Sequence, residues 1–261
     1  MIYYIVDAFT ETAFKGNPAA VCILNKPIPD DLMQNIASEF NLSETAYLLK
    51  QSNNYRLRWF SPTTEVDLCG HATLASAHFL WENGMLNHNQ DAEFSTNSGI
   101  ITARKINDDI EMDFPVEEAY ETQCPAAIID GLNIKPEYVA KNRFDYLVEV
   151  ENEDIVKQLE PNIEVVKNID CRGVIVTSLT QNSKFDFVSR FFAPRFGIPE
   201  DPVTGSAHCA LGPYWSKKTG KSRLIGFQAS QRGGVVKVEV TKENVKLGGK
   251  AVTVATGELI V

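Results

Sequence analysis

Several short segments of the chain alternate between apolar and polar residues, and three others have helical spacing or composition. The alternating, β-branched or aromatic segments predict strands, which are Ile2–Phe9, Ala46–Leu49, Tyr55–Phe60, Ile100–Lys105 and Ile110–Asp113. The segment Asp30–Phe40 predicts an amphipathic helix, because its apolar residues recur on one face and acidic residues stand at its start. Ala72–Glu82 and Ala207–Lys217 are rich in alanine, leucine and aromatic residues, which predicts two central, largely buried helices.

The chain also contains an internal duplication. Residues 58–62 and 190–194 each place an arginine, two aromatic residues, a small residue and a proline in the same order. Each copy then runs through an acidic loop into a glycine and a helix of small residues, which reads DLCGHATLASAHFLW from Asp67 and DPVTGSAHCALGPYW from Asp201. A third match follows in both copies, so the repetition predicts two similar structural units.

The duplication and the predicted elements together indicate the fold class. We expect an N-terminal half, residues 1–118, and a C-terminal half, residues 119–261. Each half combines strands with one apolar helix, which predicts an α+β fold of two pseudo-symmetric halves, each a mixed or antiparallel sheet wrapped around a central helix. A doubly wound nucleotide-binding fold is not expected.

Composition and charge narrow the range of partners. The 261 residues carry a formal net charge of -9 and no basic run, which argues against nucleic acid or an anionic membrane as the main partner. No segment approaches the roughly 18 apolar residues needed to span a bilayer, and the start of the chain does not resemble a signal peptide. Five widely spaced cysteines are expected to be reduced thiols of a cytoplasmic protein. The four histidines lack metal-binding spacing, so no metal is expected.

Each of the two apolar helices follows a glycine loop. A glycine in the first turn lets backbone N–H groups approach a ligand, and the helix N-terminus adds partial positive charge. Gly70 and Gly205 therefore predict two helix ends able to bind a carboxylate, and both would point into one cleft if the halves face each other. His71 and Ser206 follow these glycines and could hydrogen-bond a substrate carboxylate. The alternatives are that each glycine permits close helix packing and that His71 caps its own helix.

Two acidic residues stand close to these features in the sequence. Glu44 lies between the amphipathic helix and an apolar strand, and Asp201 precedes a proline in the second glycine loop. Either position also suits an ordinary solvated turn. Two carboxyl groups near a dry, anion-binding cleft can instead have their pKa values driven apart, so that one serves as an acid and the other as a base.

Four stretches resemble the phenazine-biosynthesis (PhzF-like) isomerase family, which has the diaminopimelate-epimerase-like fold. They are VDAFTETAFKGNPAAVCIL, NLSETAYLL, DLCGHATLASA and EDPVTGSAHCALGPYW, and they follow the family's order over nearly the whole chain. The resemblance implies two pseudo-symmetric halves with the active site between them, a homodimer and no cofactor. It implies that Glu44 is the catalytic acid/base and that Asn17 contacts the substrate. It also implies supporting roles for His71, Asp201 and Ser206.

The reaction implied by the resemblance is proton abstraction and redelivery on a small carboxylate, with Glu44 as acid/base. The related epimerases use two thiols, one before the glycine of each loop. Cys69 directly precedes Gly70, whereas Thr204 precedes Gly205, so a two-thiol racemase is disfavoured. Two alternatives stay open, an amino-acid racemase or epimerase that uses Cys69 and a non-catalytic metabolite-binding or interaction module. Cys69 could be reactive or simply structural.

Overall fold

The chain folds into two units. The structure, a computed structural model, describes residues 1–261. The first unit comprises Met1–Asp113 and Gly248–Val261, and the second comprises Phe114–Leu247. The sequence analysis assigns the last residues to the second half, and the structure differs there because the last strand pairs with the first strand of the chain. No helix in the chain has both the length and the apolar character needed to cross a bilayer.

The first unit is a mixed sheet with two helices. Its strands are β1 (Ile2–Ala8), β2 (Asn17–Leu24), β3 (Glu44–Lys50), β4 (Tyr55–Phe60), β5 (Glu65–Val66), β6 (Ala92–Thr96), β7 (Gly99–Ile106), β8 (Asp109–Pro115) and β17 (Ala251–Glu258). Antiparallel β1 joins β17 to β2, and β2 runs parallel to β3. β4 pairs antiparallel with β3 and parallel with β6, and β6, β7 and β8 continue antiparallel.

The helices of this unit follow from their sequences. Helix α1 (Asp30–Phe40) begins with two acidic residues, which suit its positive N-terminal end, and it ends at Asn41 in the left-handed conformation. Helix α2 (Gly70–Glu82) is apolar on nearly all sides, so it packs on β1, β2, β3 and β17 and is almost wholly buried. Trp59 of β4 lies in the core of the unit.

The second unit is a mixed sheet with four helices. Its strands are β9 (Tyr120–Glu121), β10 (Tyr138–Lys141), β11 (Asp145–Glu149), β12 (Gly173–Leu179), β13 (Phe187–Phe192), β14 (Arg223–Gln228), β15 (Gly234–Val240) and β16 (Asn244–Gly249). Its helices are α3 (Ala126–Leu132), α4 (Glu153–Lys157), α5 (Ile163–Val166) and α6 (Gly205–Thr219), with a 3₁₀ turn at Pro194–Phe196. Helix α6 packs on β11, β14 and β15 and buries Trp215.

The two units repeat one pattern of strand pairing. In the first, β2 and β3 are parallel, β3 and β4 antiparallel, β4 and β6 parallel, and β6 and β7 antiparallel. The same order holds for β11, β12, β13, β14 and β15. The repeated arginines also act alike, because Arg58 binds Glu65 at 2.7 Å and Arg190 binds Glu200 at 2.6 Å. The α+β fold of two similar halves, each a sheet with a central helix, is therefore confirmed.

Candidate active site

Three residues that the sequence analysis selected lie at one edge of the first unit's sheet, where the strands β2 and β3 begin. Asn17 is the first residue of β2, and Glu44 is the first residue of β3. The two strands are parallel with Ala19 opposite Glu44, so both strands start at the same edge. Helix α2 packs on these strands and begins at Gly70, which brings His71 in its first turn to that edge.

The imidazole of His71 is the centre of this cluster. Its Nε2 atom lies 3.3 Å from Oε2 of Glu44, and its Nδ1 atom lies 3.4 Å from Nδ2 of Asn17. The Sγ atom of Cys69 lies 3.6 Å from the same Nδ1 atom. His71 and Cys69 are each 6% exposed, and the side chain of Glu44 is 14% exposed. The cluster is therefore largely shielded from water, and Glu44 is its most exposed member.

His71 is neutral at neutral pH. Burial lowers the pKa of His71 to about 3, because the charged ring loses its hydration. Glu44 therefore lies beside a neutral ring, although its distance from the ring would suit an ion pair. The amide nitrogen of Asn17, 3.4 Å from Nδ1, can only donate a hydrogen bond, whereas the thiol of Cys69 can donate or accept. Nδ1 therefore accepts, and the ring proton resides on Nε2.

The Nε2 atom of His71 makes no hydrogen bond of good geometry within the chain. A buried N–H group without an acceptor costs roughly 1–3 kcal/mol. Sites that keep such a donor are commonly functional, since a ligand oxygen can accept the bond. The edge of this sheet thus offers a carboxyl group and an available N–H donor a few ångströms apart.

The duplication does not repeat the acidic residue. In the first unit Thr45 pairs with Phe60, and in the second Val174 pairs with Phe192 at the equivalent place. The residue that precedes Thr45 is Glu44, and the residue that precedes Val174 is Gly173. A side chain at Gly173 would collide with the ring of Phe191, with a Cβ only 2.2 Å from that ring. The carboxyl group at this position therefore belongs to the first unit alone.

Glu44, Cys69 and His71 also offer three atoms that a metal ion could bind. One ligand atom from each lies within 4.8 Å of the others, and oxygen, sulfur and nitrogen are all zinc ligands. Glu44 and Cys69, however, face different nitrogens of the His71 ring. One ion would bind only one of these two nitrogens, and the absence of a metal stays a prediction of the sequence analysis.

In the second unit, Asp201 lies in the loop before α6. Its backbone N–H donates to the carbonyl of Phe191 at 3.0 Å, which anchors the loop to the end of β13. Its Oδ2 atom accepts a hydrogen bond of 2.5 Å from the hydroxyl of Thr204. Gly205 and Ser206 are the first two residues of α6, and Ser206 is half-buried. The structure thus groups these three sequence-predicted residues at the start of one helix.

Both helices start without a side-chain cap. Neither Cys69 before α2 nor Thr204 before α6 makes a capping hydrogen bond from its side chain, and neither helix has an acidic residue in its first turn. The first N–H groups of a helix have no acceptor within the helix and carry partial positive charge. Both ends therefore retain the character expected of a carboxylate-binding site.

The sequence analysis missed two residues that hold the loop before α6. Gln228 ends β14, is fully buried, and donates from Nε2 to the carbonyl of Asp201 at 2.7 Å. Thr204 donates to the carboxylate of Asp201. The available signal was one polar residue at the end of the otherwise apolar segment LIGFQ, since a polar side chain there must find partners when buried.

The buried histidine of α6 makes stability depend on pH. Burial lowers the pKa of His208 to about 4, against the opposing hydrogen bond with Thr204. In the unfolded chain the ordinary value is about 6.5, so between about pH 4 and 6.5 the unfolded chain binds a proton that the folded chain does not. We expect the free energy of unfolding to fall as the pH drops through this window, by up to about 1.4 kcal/mol per pH unit from this residue.

Urea unfolding at several pH values checks this expectation with His208→Asn. The asparagine amide can still donate to the Thr204 carbonyl, which His208 Nδ1 contacts at 2.8 Å, but it does not titrate. The variant should show the shallower pH dependence, whereas His88→Asn, at an exposed position, should match the unmodified protein. Equal slopes for His208→Asn and the unmodified protein would contradict the assignment.

Comparisons with known proteins identify the family. The family model described as phenazine biosynthesis-like protein matches residues 6–257. An uncharacterized isomerase of Halalkalibacterium halodurans is 54% identical over 258 residues, which cover 98% of this chain and 97% of the relative. A crystal structure of a PhzF-family phenazine biosynthesis protein from Enterococcus faecalis has a TM-score of 0.95 and 41% identity, and the match covers 100% of this chain and 99% of that chain.

A more distant structure extends the likeness at the level of the fold. A protein of Pseudomonas aeruginosa described as a predicted epimerase has a TM-score of 0.74 at 20% identity, and the match covers 100% of this chain and 99% of that chain. The chain belongs to the phenazine-biosynthesis-like (PhzF) family. This membership confirms the family resemblance, the epimerase-like α+β fold and the isomerase class that the sequence analysis expected.

Proposed function

We propose that this protein is a cofactor-independent isomerase of a small carboxylate, with Glu44 as the general base. The observation that carries the proposal is the pairing of Glu44 with buried, neutral His71, whose Nε2 has no hydrogen-bond partner in the chain. A carboxylate in such a place can take a proton, while the N–H group can stabilise the negative charge that develops on the substrate.

The proposed reaction has two proton transfers. Glu44 takes a proton from a carbon next to a carboxylate or carbonyl group, so that a C–H bond breaks, an O–H bond forms, and the electron pair moves into the carbonyl as an enolate. The Nε2–H group of His71 donates to the developing oxyanion. Glu44 then returns the proton to another carbon of the conjugated system or to the other face of the same carbon. No oxidant or co-substrate is consumed.

Asp201 and Ser206 are proposed to serve the same reaction. Asp201 carries a carboxyl group that can exchange a proton, and Ser206 presents a hydroxyl in the uncapped first turn of α6. The N–H groups of that turn, and of the turn that begins at Gly70, suit a substrate carboxylate. Replacement of Ser206 by alanine should therefore raise KM for a carboxylate substrate more than it lowers kcat.

Incubation with a panel of small unsaturated, keto and amino carboxylates in D₂O, followed by NMR, tests the proposal. Turnover should appear as conversion to an isomer, with or without deuterium at the new C–H position. Binding of several acids in a thermal-shift assay, with no conversion and no exchange for any of them, would instead support a non-catalytic metabolite-binding module.

A racemase that uses the thiol of Cys69 is the second candidate, because Cys69 lies 3.6 Å from Nδ1 of His71. Our proposal predicts that Cys69→Ala keeps turnover within about tenfold of the unmodified rate, since loss of a true acid/base group costs about 10²–10⁴-fold. The buried Cys22→Ala, in the same unit, controls for the loss of a thiol as such. A loss of exchange at an α-carbon in Cys69→Ala but not in Glu44→Gln would favour the racemase.

A further inference from the structure

We infer that Thr204 and Gln228 are positioning residues that commit the Oδ2 atom of Asp201 to accepting a hydrogen bond, so that Asp201 exchanges protons through Oδ1. The inference rests on the proposed participation of Asp201 in the reaction. The direction of each hydrogen bond in this buried network can be tested without a substrate. Asp201 is 9% exposed, Thr204 7%, and Gln228 fully buried.

The amide of Gln228 can have only one orientation. Its Oε1 atom lies 2.9 Å from the backbone N–H of Thr204, and its Nε2 atom lies 2.7 Å from the backbone carbonyl of Asp201. A backbone N–H can only donate and a backbone carbonyl can only accept. The amide oxygen must therefore face Thr204, and the amide nitrogen must face the Asp201 carbonyl. The second hydrogen of that nitrogen remains to be assigned to an acceptor.

The second amide hydrogen sets the direction of the Thr204 hydroxyl. Nε2 of Gln228 lies 3.2 Å from Oγ1 of Thr204, so the hydroxyl oxygen accepts from the amide. The single hydroxyl proton then points to Oδ2 of Asp201, 2.5 Å away. A proton on Oδ2 itself would face this hydroxyl proton directly. While Thr204 donates to Oδ2, any proton that Asp201 carries therefore resides on Oδ1.

The position of Thr204 in the helix supports this use of its hydroxyl. Threonine immediately before a helix commonly accepts a hydrogen bond from an N–H group of the first turn. Thr204 stands immediately before α6, yet its side chain makes no such bond and donates to Asp201 instead. The residue thus leaves the first-turn N–H groups of α6 uncapped while it orients the neighbouring carboxylate.

Two titratable residues beside the network, Glu200 and His208, have partners of their own. Glu200 precedes Asp201 and is held by the guanidinium of Arg190 through bonds of 2.6 and 2.9 Å. His208 contacts the Thr204 carbonyl through Nδ1 at 2.8 Å, and its burial keeps the ring neutral above about pH 4. Thr204 donates directly to the Asp201 carboxylate, so a neutral substitution of Thr204 should alter the titration of Asp201.

Carboxyl-carbon NMR of ¹³C-labelled aspartate tests the inference, with the Asp201 signal identified by its loss in Asp201→Asn. Thr204→Val keeps the shape of the side chain but removes a hydrogen bond to the charged carboxylate, so it should raise the pKa of Asp201 by at least about one pH unit. Thr204→Ala should also raise the pKa of Asp201, and alanine adds no bulky side chain at this position. Thr204→Ser should restore the behaviour of the unmodified protein.

Ser230→Ala is the matched control. The Ser230 hydroxyl donates to the backbone carbonyl of Pro202 in the same loop, so its removal should leave the bond from Thr204 to Asp201, and the titration of Asp201, unchanged. An unchanged Asp201 titration in both Thr204→Val and Thr204→Ala would overturn the inference, whatever Glu44→Gln does to turnover.

A kinetic measurement separates this inference from the proposed function. On a substrate that the unmodified protein converts, Thr204→Val should lower kcat by at least about tenfold and change KM less, with rescue in Thr204→Ser. A raised Asp201 pKa with an unchanged kcat would overturn the role of Thr204 in proton exchange. Full turnover in Glu44→Gln would instead defeat the proposed function, while the hydrogen-bond directions at Asp201 would still be decided by NMR.

Discussion

Glu44→Gln is expected to lower the turnover rate by about 10²–10⁴-fold, the contribution usually made by a positioned general base. Glutamine has nearly the same size as glutamate, so it can occupy the start of β3 without disturbing the strand. Its amide cannot take a proton from carbon at neutral pH, and its nitrogen is a hydrogen-bond donor rather than an acceptor. The amide oxygen can keep the 3.3 Å approach to Nε2 of His71, whereas the amide nitrogen would place a second donor beside that N–H group.

The measurement is the rate of conversion and of solvent deuterium exchange, followed by NMR on the same substrate for both proteins. Glu93→Gln, at an exposed position in β6 of the same unit, is the matched control and should retain the unmodified rate. Thermal unfolding of both variants shows that they are folded. Turnover by Glu44→Gln at the unmodified rate would rule out Glu44 as the base.

Gly16→Ala is expected to lower the free energy of unfolding by about 2–5 kcal/mol, the sum of backbone strain and a steric collision. Gly16 adopts φ +66°, which disfavours any side chain with a Cβ atom. An added Cβ would also lie 2.1 Å from the backbone carbonyl oxygen of Ala8, and a backbone atom can move only with its strand. The residue directly precedes Asn17, so the collision should also displace a contact of His71.

Gly84→Ala separates the two causes. Gly84 has φ +65°, almost the same conformation, but an added Cβ would meet no atom within 4 Å. This variant should lose only about 1–2 kcal/mol, the cost of the left-handed conformation. Urea unfolding of the two variants gives the comparison. Equal losses would show that the approach to Ala8 contributes nothing.

The repeated motifs made the two-unit architecture predictable. The segments around Arg58 and Arg190 have the same residue order, and each arginine binds a carboxylate of its own unit, Glu65 or Glu200. Local repetition of this kind is visible in a sequence. The place of Gly248–Val261 was not, because it depends on pairing between β17 and β1, from opposite ends of the chain. Strand partners so far apart leave no local signal.

The candidate site was predictable only in part. The resemblance named Glu44, His71 and Asn17, and the structure brings these three together because β2 and β3 are parallel and α2 starts beside them. It did not indicate Thr204 or Gln228, since a hydrogen-bond network depends on side chains that meet only after folding. The homodimer, the cytoplasmic location, the carboxylate substrate and the absence of a cofactor stay predictions.

For Glu44, the sequence and the tertiary structure supply different information. Its sequence context alone suits a solvated turn as well as a catalytic base, and only the resemblance to a family selects it. By itself the sequence determined the repeated halves, the two apolar helices and the glycine before each of them, because these depend on local patterns. Tertiary structure decided that His71 is buried and neutral beside Glu44, that the second copy has Gly173 at the matching position, and that Thr204 serves Asp201 rather than its helix. Burial and hydrogen-bond direction depend on neighbours that the chain acquires only by folding.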